Sequence, residues 1–99
     1  MLQPRSGRAV RNERKFPHIV ELAVATHELD VQLSRRIIDF HKLRHIETRH
    51  GRRVVRENQI YYRWCFSYLA TASDFAEQFD GELLDARRIA VDIAKLAER

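Results

Sequence analysis

The sequence predicts an α+β fold of the ferredoxin-like type, a βαββα(β) plait with an added C-terminal helix. The sequence pattern takes a period of two in residues 46–50 and 60–66, which indicates strands. Apolar residues recur three or four positions apart in residues 29–40 and 72–79, which indicates helices. The alternative is a three-stranded sheet beside a long αα-hairpin made of the last two helices.

The composition of residues 1–15 predicts a flexible basic arm, and the pattern of residues 16–99 predicts a single α+β domain. Residues 1–15 carry scattered arginines and almost no apolar residues, so they bury too little surface to offset the entropy of ordering. We interpret the arm as a solvated tail rather than as a clamp for nucleic acid. The chain of 99 residues is large enough for one core without metals or disulfides.

The domain begins with a strand and a helix. Residues 18–24 are short, apolar and rich in β-branched residues, which is typical of a central strand. Thr26 or Asp30 can cap the following helix, which should end near residue 43 or 44. Val31 and Ile38 fall on the side of this helix away from the core. Its core-facing stripe is Leu29, Leu33, Ile37 and Phe40.

A hairpin follows, with strands at residues 46–50 and 60–66. The chain should reverse near Glu57 and Asn58, which leaves residues 51–53 as a bulge or a projecting tip. Alternation then places two sets of residues on opposite faces of the second strand. Ile60, Tyr62, Trp64 and Phe66 share the core face, and Tyr61, Arg63 and Cys65 share the other.

The second helix should span residues 68–79, with Ser67 as its N-cap and Asp80–Gly81 as its stop. Its core stripe is Ala72, Phe75, Ala76 and Phe79. Residues 82–85 can form a short fourth strand. The pattern of residues 86–98 predicts an amphipathic last helix, whose apolar stripe needs either its own sheet or a second subunit as partner.

Four short motifs resemble a group of small bacterial proteins of unknown function. They are residues 17–21 (PHIVE), 39–41 (DFH), 63–66 (RWCF) and 75–81 (FAEQFDG). The resemblance covers about residues 16–81. It implies an α+β domain with the same order of strands and helices, and it implies no activity.

Charge is distributed in alternating blocks. The net charge of +4 divides into +4 for residues 1–18, −2 for 19–41, +5 for 42–64 and −3 for 65–99. Such asymmetry favours either an anionic partner or complementary contact between two copies of the chain. No apolar stretch is long enough to span a bilayer, so we expect no membrane contact. A single cysteine fits a cytoplasmic location.

Residues that could carry chemistry are few. His41 and His45 have the spacing of two metal ligands, but no motif supplies a third. Cys65 lies within a strand between two aromatic residues, where a small buried side chain is the usual explanation. Three glycines cannot build a phosphate-binding loop. We therefore predict no catalytic residues, no metal and no cofactor.

These observations favour a non-catalytic binding or regulatory module, which we expect to be a homodimer. Its partner would be anionic, either nucleic acid or an acidic protein. The predicted contacts are Arg49, Arg52, Arg53, Arg56 and Arg63, with Tyr61 stacking on a base. The alternative is a cofactor-free small-molecule enzyme or sensor. In that case His50, Tyr61 and Arg63 would line a pocket on the sheet face at a dimer interface.

Overall fold

A computed structural model describes residues 4–24 and 31–84 of the chain. Its elements are α1 (Pro4–Lys15), β1 (His18–Val24), α2 (Val31–Leu43), β2 (Val54–Arg56), β3 (Gln59–Phe66), α3 (Leu69–Phe79) and β4 (Glu82–Leu84). The strands form one antiparallel sheet in the order β2-β3-β1-β4. The α+β class is therefore confirmed, and the three-stranded alternative is wrong because β4 pairs with β1. The predicted last helix, Leu29 and the two proposed caps of α2 lie outside the described residues.

The central strands β1 and β3 define the two faces of the sheet. Val20 pairs with Trp64 and Leu22 with Tyr62, so their side chains point to one face. Helices α2 and α3 pack on that face and close the main core. Its buried members are Val20, Leu22, Ile37, Phe40, Trp64, Phe66, Ala72 and Phe75. The prediction that Trp64 and Phe66 lie beneath helices is confirmed.

Both core-facing helices follow their apolar stripes. In α2, Ile37 and Phe40 are buried and Leu33 packs against them, while Val31 and Ile38 are exposed on the other side, as predicted. Helix α3 begins at Leu69 with Tyr68 as its N-cap and no side-chain cap, so the predicted cap at Ser67 is wrong.

The end of α3 depends on two neighbouring residues. Asp80 takes the left-handed conformation at φ 57°. The N–H of Gly81 donates to the carbonyl of Ala76 over 2.8 Å. A Cβ on Gly81 would collide with the side chain of Leu22 and lie 2.8 Å from Val20 Cγ1. The glycine therefore permits close packing against β1, while Asp80 makes the turn.

The hairpin reverses where the sequence predicts. Glu57 and Asn58 have φ values of 52° and 66°, which fit the tight two-residue turn that matches strand twist. His50 pairs with Trp64 and Val54 with Tyr61. One strand thus advances four residues while its partner advances three, and residues 51–53 form the predicted bulge.

The predicted strand at residues 46–50 is wrong, apart from the single bridge at His50. The N–H of Ile46 donates to the carbonyl of His41 over 3.1 Å, which keeps the chain at the end of α2 rather than in the sheet. Ile46 also packs against the main core. The chain rejoins the sheet only at Arg49, whose carbonyl accepts from the N–H of Cys65 over 2.8 Å.

The residues expected to form a flexible arm form α1 instead, a helix of twelve residues. Glu13 is buried against Arg63, and Arg63 lies on the opposite face of β3 from Trp64. Helices therefore lie on both faces of the sheet, with α1 on the face opposite α2 and α3. Within residues 4–24 and 31–84, no helix has both the length and the apolar character needed to cross a bilayer.

Candidate anion-binding surface

Five charged side chains meet on the α1 side of the sheet. We call them the ionic network: Glu13, Glu21, Arg52, Arg56 and Arg63. The side chains of both glutamates and of Arg63 are at most 1% exposed. Buried charges are stable only when they are paired and hydrogen-bonded, so each member depends on the others.

Glu13 joins α1 to the bulge of the hairpin. Its carboxylate accepts from the backbone N–H of Arg52 at 2.6 Å and from the Arg52 guanidinium at 3.0 Å. It also accepts from Arg63 Nη1 at 3.0 Å. Beside it, Asn12 Nδ2 donates to the carbonyl of His50 over 2.9 Å. These contacts hold the last turn of α1 against residues 50–52.

Gly51 makes this approach sterically feasible. A Cβ there would lie 2.8 Å from Glu13 Oε2 and 3.0 Å from Arg63 Cβ. Both distances are shorter than ordinary carbon contacts. Gly51 also donates its N–H to the carbonyl of Arg63 over 2.9 Å, which keeps the bulge attached to β3.

Glu21 completes the ionic network from the centre of β1. It stands directly opposite Arg63 in the register of β1 and β3. Arg63 Nε donates to Glu21 Oε2 over 3.0 Å, and the Arg56 guanidinium donates to the same carboxylate. Arg56 also lies 4.2 Å from the centre of the Tyr61 ring. The guanidinium of Arg56 thus lies over the ring of Tyr61, the residue that the sequence analysis predicted to stack on a base.

The six predicted contact residues occupy different environments. Arg52, Arg56 and Arg63 belong to the ionic network. Arg49 pairs with Glu47 over 3.1 Å and lies 4.0 Å from the centre of the Phe16 ring. Arg53 is exposed, and no carboxylate of the described residues pairs with it. The structure therefore brings three of the six together as internal supports and leaves Arg53 facing solvent.

Sequence reasoning missed Glu13 and Glu21, although a signal exists for each. Glu13 is the single acid among the first eighteen residues, and Glu21 is the single acid in the apolar run 18–24. An acid in one apolar strand and an arginine in the paired strand form a recognisable cross-strand pair. Glu21 and Arg63 have this relationship.

The outward side of α1 carries cations. Since an α-helix turns every 3.6 residues, Arg8, Arg11 and Lys15 lie on one side, with Arg14 beside them. All four are exposed, whereas Glu13 points to the sheet. We define the basic surface as this helix side together with the neighbouring exposed residue of the bulge. Its members are Arg8, Arg11, Arg14, Lys15 and Arg53.

Helix α3, on the opposite side of the sheet, carries acids. Residues 67–84, which include α3 and β4, contain no lysine or arginine. Asp74, Glu77 and Asp80 in this segment are exposed. Helix α2 on the same side carries the exposed cations Arg35, Arg36 and Lys42, so this side is mixed in charge, whereas the exposed charges described on α1 are all positive.

Neither His41 nor Cys65 has the environment of a reactive group. His41 is buried, and its pKa is lowered by that burial. Burial raises the pKa of the Cys65 thiol to about 12, and the nearby charge of Glu13 acts in the same direction. A thiol with so high a pKa stays protonated at neutral pH and is a poor nucleophile. Among the described residues, no three histidine, cysteine or acidic side chains are grouped closely enough to hold a metal ion.

A small pocket lies between the start of α3 and the loop before the bulge. It has a volume of about 50 Å³ and is bounded by residues 46, 47, 49, 65–68 and 71. Pockets that bind small organic ligands usually exceed about 300 Å³. This pocket is therefore the size of a hydration site and not of a substrate site.

No protein-family model, no curated protein and no solved structure matches this chain. The resemblance of residues 16–81 to small bacterial proteins stays a prediction. No relative supplies an activity, a substrate or a partner, so a function has to be inferred from the basic surface and the ionic network.

Proposed function

We propose that this protein is a non-catalytic binding module, suited to a regulatory role, that contacts nucleic acid through the basic surface. The observation that carries the proposal is the concentration of exposed cations on the outer side of α1. Arg8, Arg11, Arg14 and Lys15 lie there with no exposed acid among them, whereas the other side of the sheet mixes the acids of α3 with the cations of α2. Such a cationic surface attracts a polyanion to α1.

The chemistry of the basic surface favours nucleic acid over an acidic protein. Four of its five members are arginines, whose planar guanidinium groups match phosphate oxygens and are weakly hydrated. Successive cations along a helix also suit the regular charge of a phosphate backbone. Among the residues of this helix side whose side chains the structure describes, the exposed ones other than Gly7 are charged, so they offer none of the apolar contacts that anchor most protein interfaces.

In this proposal the arginines predicted to form the hairpin site fall into two groups with different roles. Arg53 contacts phosphate, with Arg49 at the edge of the surface. Arg52 and Arg63 hold α1 and the bulge in position by donating to Glu13, while Arg56 donates to Glu21 in β1. The alternative of a small-molecule pocket requires Arg63 to face a ligand, whereas its guanidinium donates to Glu13 and Glu21.

For residues 18–84 we infer the ferredoxin-like plait. The strand order β2-β3-β1-β4, with all neighbours antiparallel, supports this inference. So do the helices between β1 and β2 and between β3 and β4. In this respect α1 is an addition before the first strand. The homodimer stays a prediction, and it is separable from nucleic acid binding by measuring molar mass with and without the nucleic acid.

The experiment is fluorescence anisotropy of labelled nucleic acid at several salt concentrations. The wild type is compared with Arg53→Gln and with the control Arg35→Gln, an exposed arginine on α2. We expect binding that weakens steeply with salt, with a log–log slope reduced by about 1 in Arg53→Gln alone. Wild-type protein that binds no nucleic acid at low salt would overturn the proposed function. Variants of Arg52, Arg56 or Arg63 are unsuitable because they would disturb the ionic network.

A further inference from the structure

Helix α1 is fixed on its inner side, and every charged residue described on its outer side is a cation. Its inner side is held by Glu13, which accepts from Arg52 and Arg63, and by Asn12, which donates to His50. Ala9 and Val10, on the inner side, are partly buried. The outer side carries Arg8, Arg11, Arg14 and Lys15, and none of these pairs with a carboxylate of the described residues.

This arrangement is unfavourable for an isolated helix. Arg11 stands three residues from Arg8, three from Arg14 and four from Lys15. Side chains at these spacings are neighbours, and like charges there repel each other. The helix nevertheless forms because the ionic network anchors its last turn. A row of phosphates along the outer side would relieve the repulsion.

The sheet beneath α1 does not offer a platform for single-stranded bases. Such platforms need successive exposed aromatic side chains. On this face of β1 and β3, Ile19, Glu21, Arg63 and Cys65 are all at most 2% exposed. Tyr61 is half-buried, and the guanidinium of Arg56 lies 4.2 Å from its ring centre. Contact with phosphates is therefore the interaction that this side of the domain supports.

We infer that the outer side of α1 binds the phosphate backbone of duplex DNA, with little preference for base sequence. This inference rests on the proposed function and names its substrate class. From Arg8 to Lys15 the cations extend over about 10 Å of helix. The major groove of DNA is about 12 Å wide, so a helix laid along it can place cations near the phosphates of both strands. The deep, narrow major groove of duplex RNA does not allow this.

The test uses the full chain and four ligands: a DNA duplex, its single strand, an RNA duplex of the same sequence, and polyglutamate. Arg8→Gln/Arg11→Gln is compared with Arg35→Gln/Arg36→Gln, which removes the same charge from α2. Glutamine is nearly as good a helix former as arginine, so α1 should persist, and circular dichroism checks this. We expect the DNA-binding salt slope to fall by about 2 in the α1 variant and to stay unchanged in the α2 variant.

A further variant separates phosphate contact from base recognition. Arg8→Lys/Arg11→Lys should keep the salt slope of wild-type DNA binding, because lysine supplies the same charge, although it lacks the planar fork that arginine uses to pair with phosphate or guanine. A salt slope as low as that of Arg8→Gln/Arg11→Gln would overturn the assignment to phosphates. A salt slope that falls in Arg8→Gln/Arg11→Gln but is retained in Arg8→Lys/Arg11→Lys would support this assignment.

The outcomes separate this inference from the proposed function. If nucleic acid binds and Arg53→Gln weakens it, but the α1 and α2 double variants bind equally well, the inference fails and the proposed function stands. Tighter binding to the single strand or to the RNA duplex than to the DNA duplex also overturns the inference. If polyglutamate binds with the same salt slope and the same loss in the α1 variant, the partner is an acidic protein and both proposals fail.

Discussion

Glu13 and Arg63 are fifty residues apart in the chain and meet beneath α1, where Arg63 Nη1 donates to Glu13 Oε1 over 3.0 Å. Neither side chain has solvent exposure. Removing one partner of a buried ion pair leaves the other charge in a poorly solvated place, which is more damaging than losing an exposed pair. This contact therefore anchors α1, Pro4–Lys15, on the rest of the domain.

The first prediction concerns Glu13. Glu13→Ala should lower the free energy of unfolding by about 3–5 kcal/mol, because Arg52 and Arg63 lose a shared carboxylate. The control is Glu47→Ala, whose side chain is 78% exposed in its pair with Arg49. That change should alter stability by less than about 1 kcal/mol. Denaturant unfolding followed by circular dichroism measures both, and equal small effects would mean that α1 does not dock.

The second prediction uses two glycines that differ in their surroundings. Gly51→Ala should destabilise the protein by about 1–3 kcal/mol, since the new methyl group must displace Glu13 or Arg63. Gly7→Ala should instead stabilise it by about 0.5–1 kcal/mol. Gly7 lies within α1, and an added Cβ there meets only Arg11 Nη1 at 3.5 Å. Thermal unfolding of both variants gives the comparison, and a neutral Gly7→Ala would contradict a helical α1.

The sequence predicted most of the sheet and both core helices because their signals are local. Alternation in residues 60–66 placed Trp64 and Phe66 in the core, and the three-and-four spacing of Ile37 and Phe40 placed α2 against it. The turn at Glu57 and Asn58 follows from residue types that tolerate positive φ. Each of these features is decided by residues close together in the chain.

Helix α1 could not be predicted in the same way, because its anchor is a charged residue. Counting apolar positions treats Glu13 as surface, so residues 1–15 look unable to bury anything. The partners that make its burial favourable, Arg52 and Arg63, are 39 and 50 residues away. The same contacts explain why the predicted binding site differs from the one in the structure. Several arginines of the hairpin that the sequence suggests are free to bind a partner pair instead with glutamates of α1 and β1.

The third prediction concerns pH. The Nδ1–H of His41 donates to the carbonyl of Ile37 over 2.8 Å, while its buried Nε2 has no partner. Burial, chiefly, lowers the pKa of this ring in the folded protein; the hydrogen bond to Ile37 opposes this, and the charges of His50 and Arg44 add to it. The unfolded chain therefore binds more protons below about pH 6.5. The free energy of unfolding should have its full value above that pH. It should fall as the pH decreases toward the pKa of His41 in the folded protein.

The slope of unfolding free energy against pH isolates this effect. His41→Phe keeps the ring stacked on Phe66, whose centre is 5.5 Å away, and removes the titration. We expect a shallower slope between about pH 6.5 and 5 in this variant, with the remainder due to His50, whose pKa is also lowered by burial. An unchanged slope in His41→Phe would show that another group causes the acid sensitivity.

The fourth prediction links the thiol of Cys65 to the docking of α1. Cys65 is 2% exposed and packs with Ile19 and Leu84, with Phe16 from the end of α1 against them. Its thiol, with a pKa of about 12, should react with an aromatic disulfide reagent only when this face opens. Native protein should therefore react slowly, and protein in denaturant should react at once.

The variant Glu13→Ala decides whether that protection comes from α1. Losing the contacts of Glu13 with Arg52 and Arg63 should let α1 detach locally while the sheet and the main core persist. Cys65 should then react faster at neutral pH in conditions where circular dichroism still reports a folded domain. Glu47→Ala should label at the wild-type rate, because its carboxylate pairs only at the surface. Equal labelling rates in Glu13→Ala and wild type would mean that the sheet protects Cys65 without α1, and that the ionic network does not hold the basic helix on the domain.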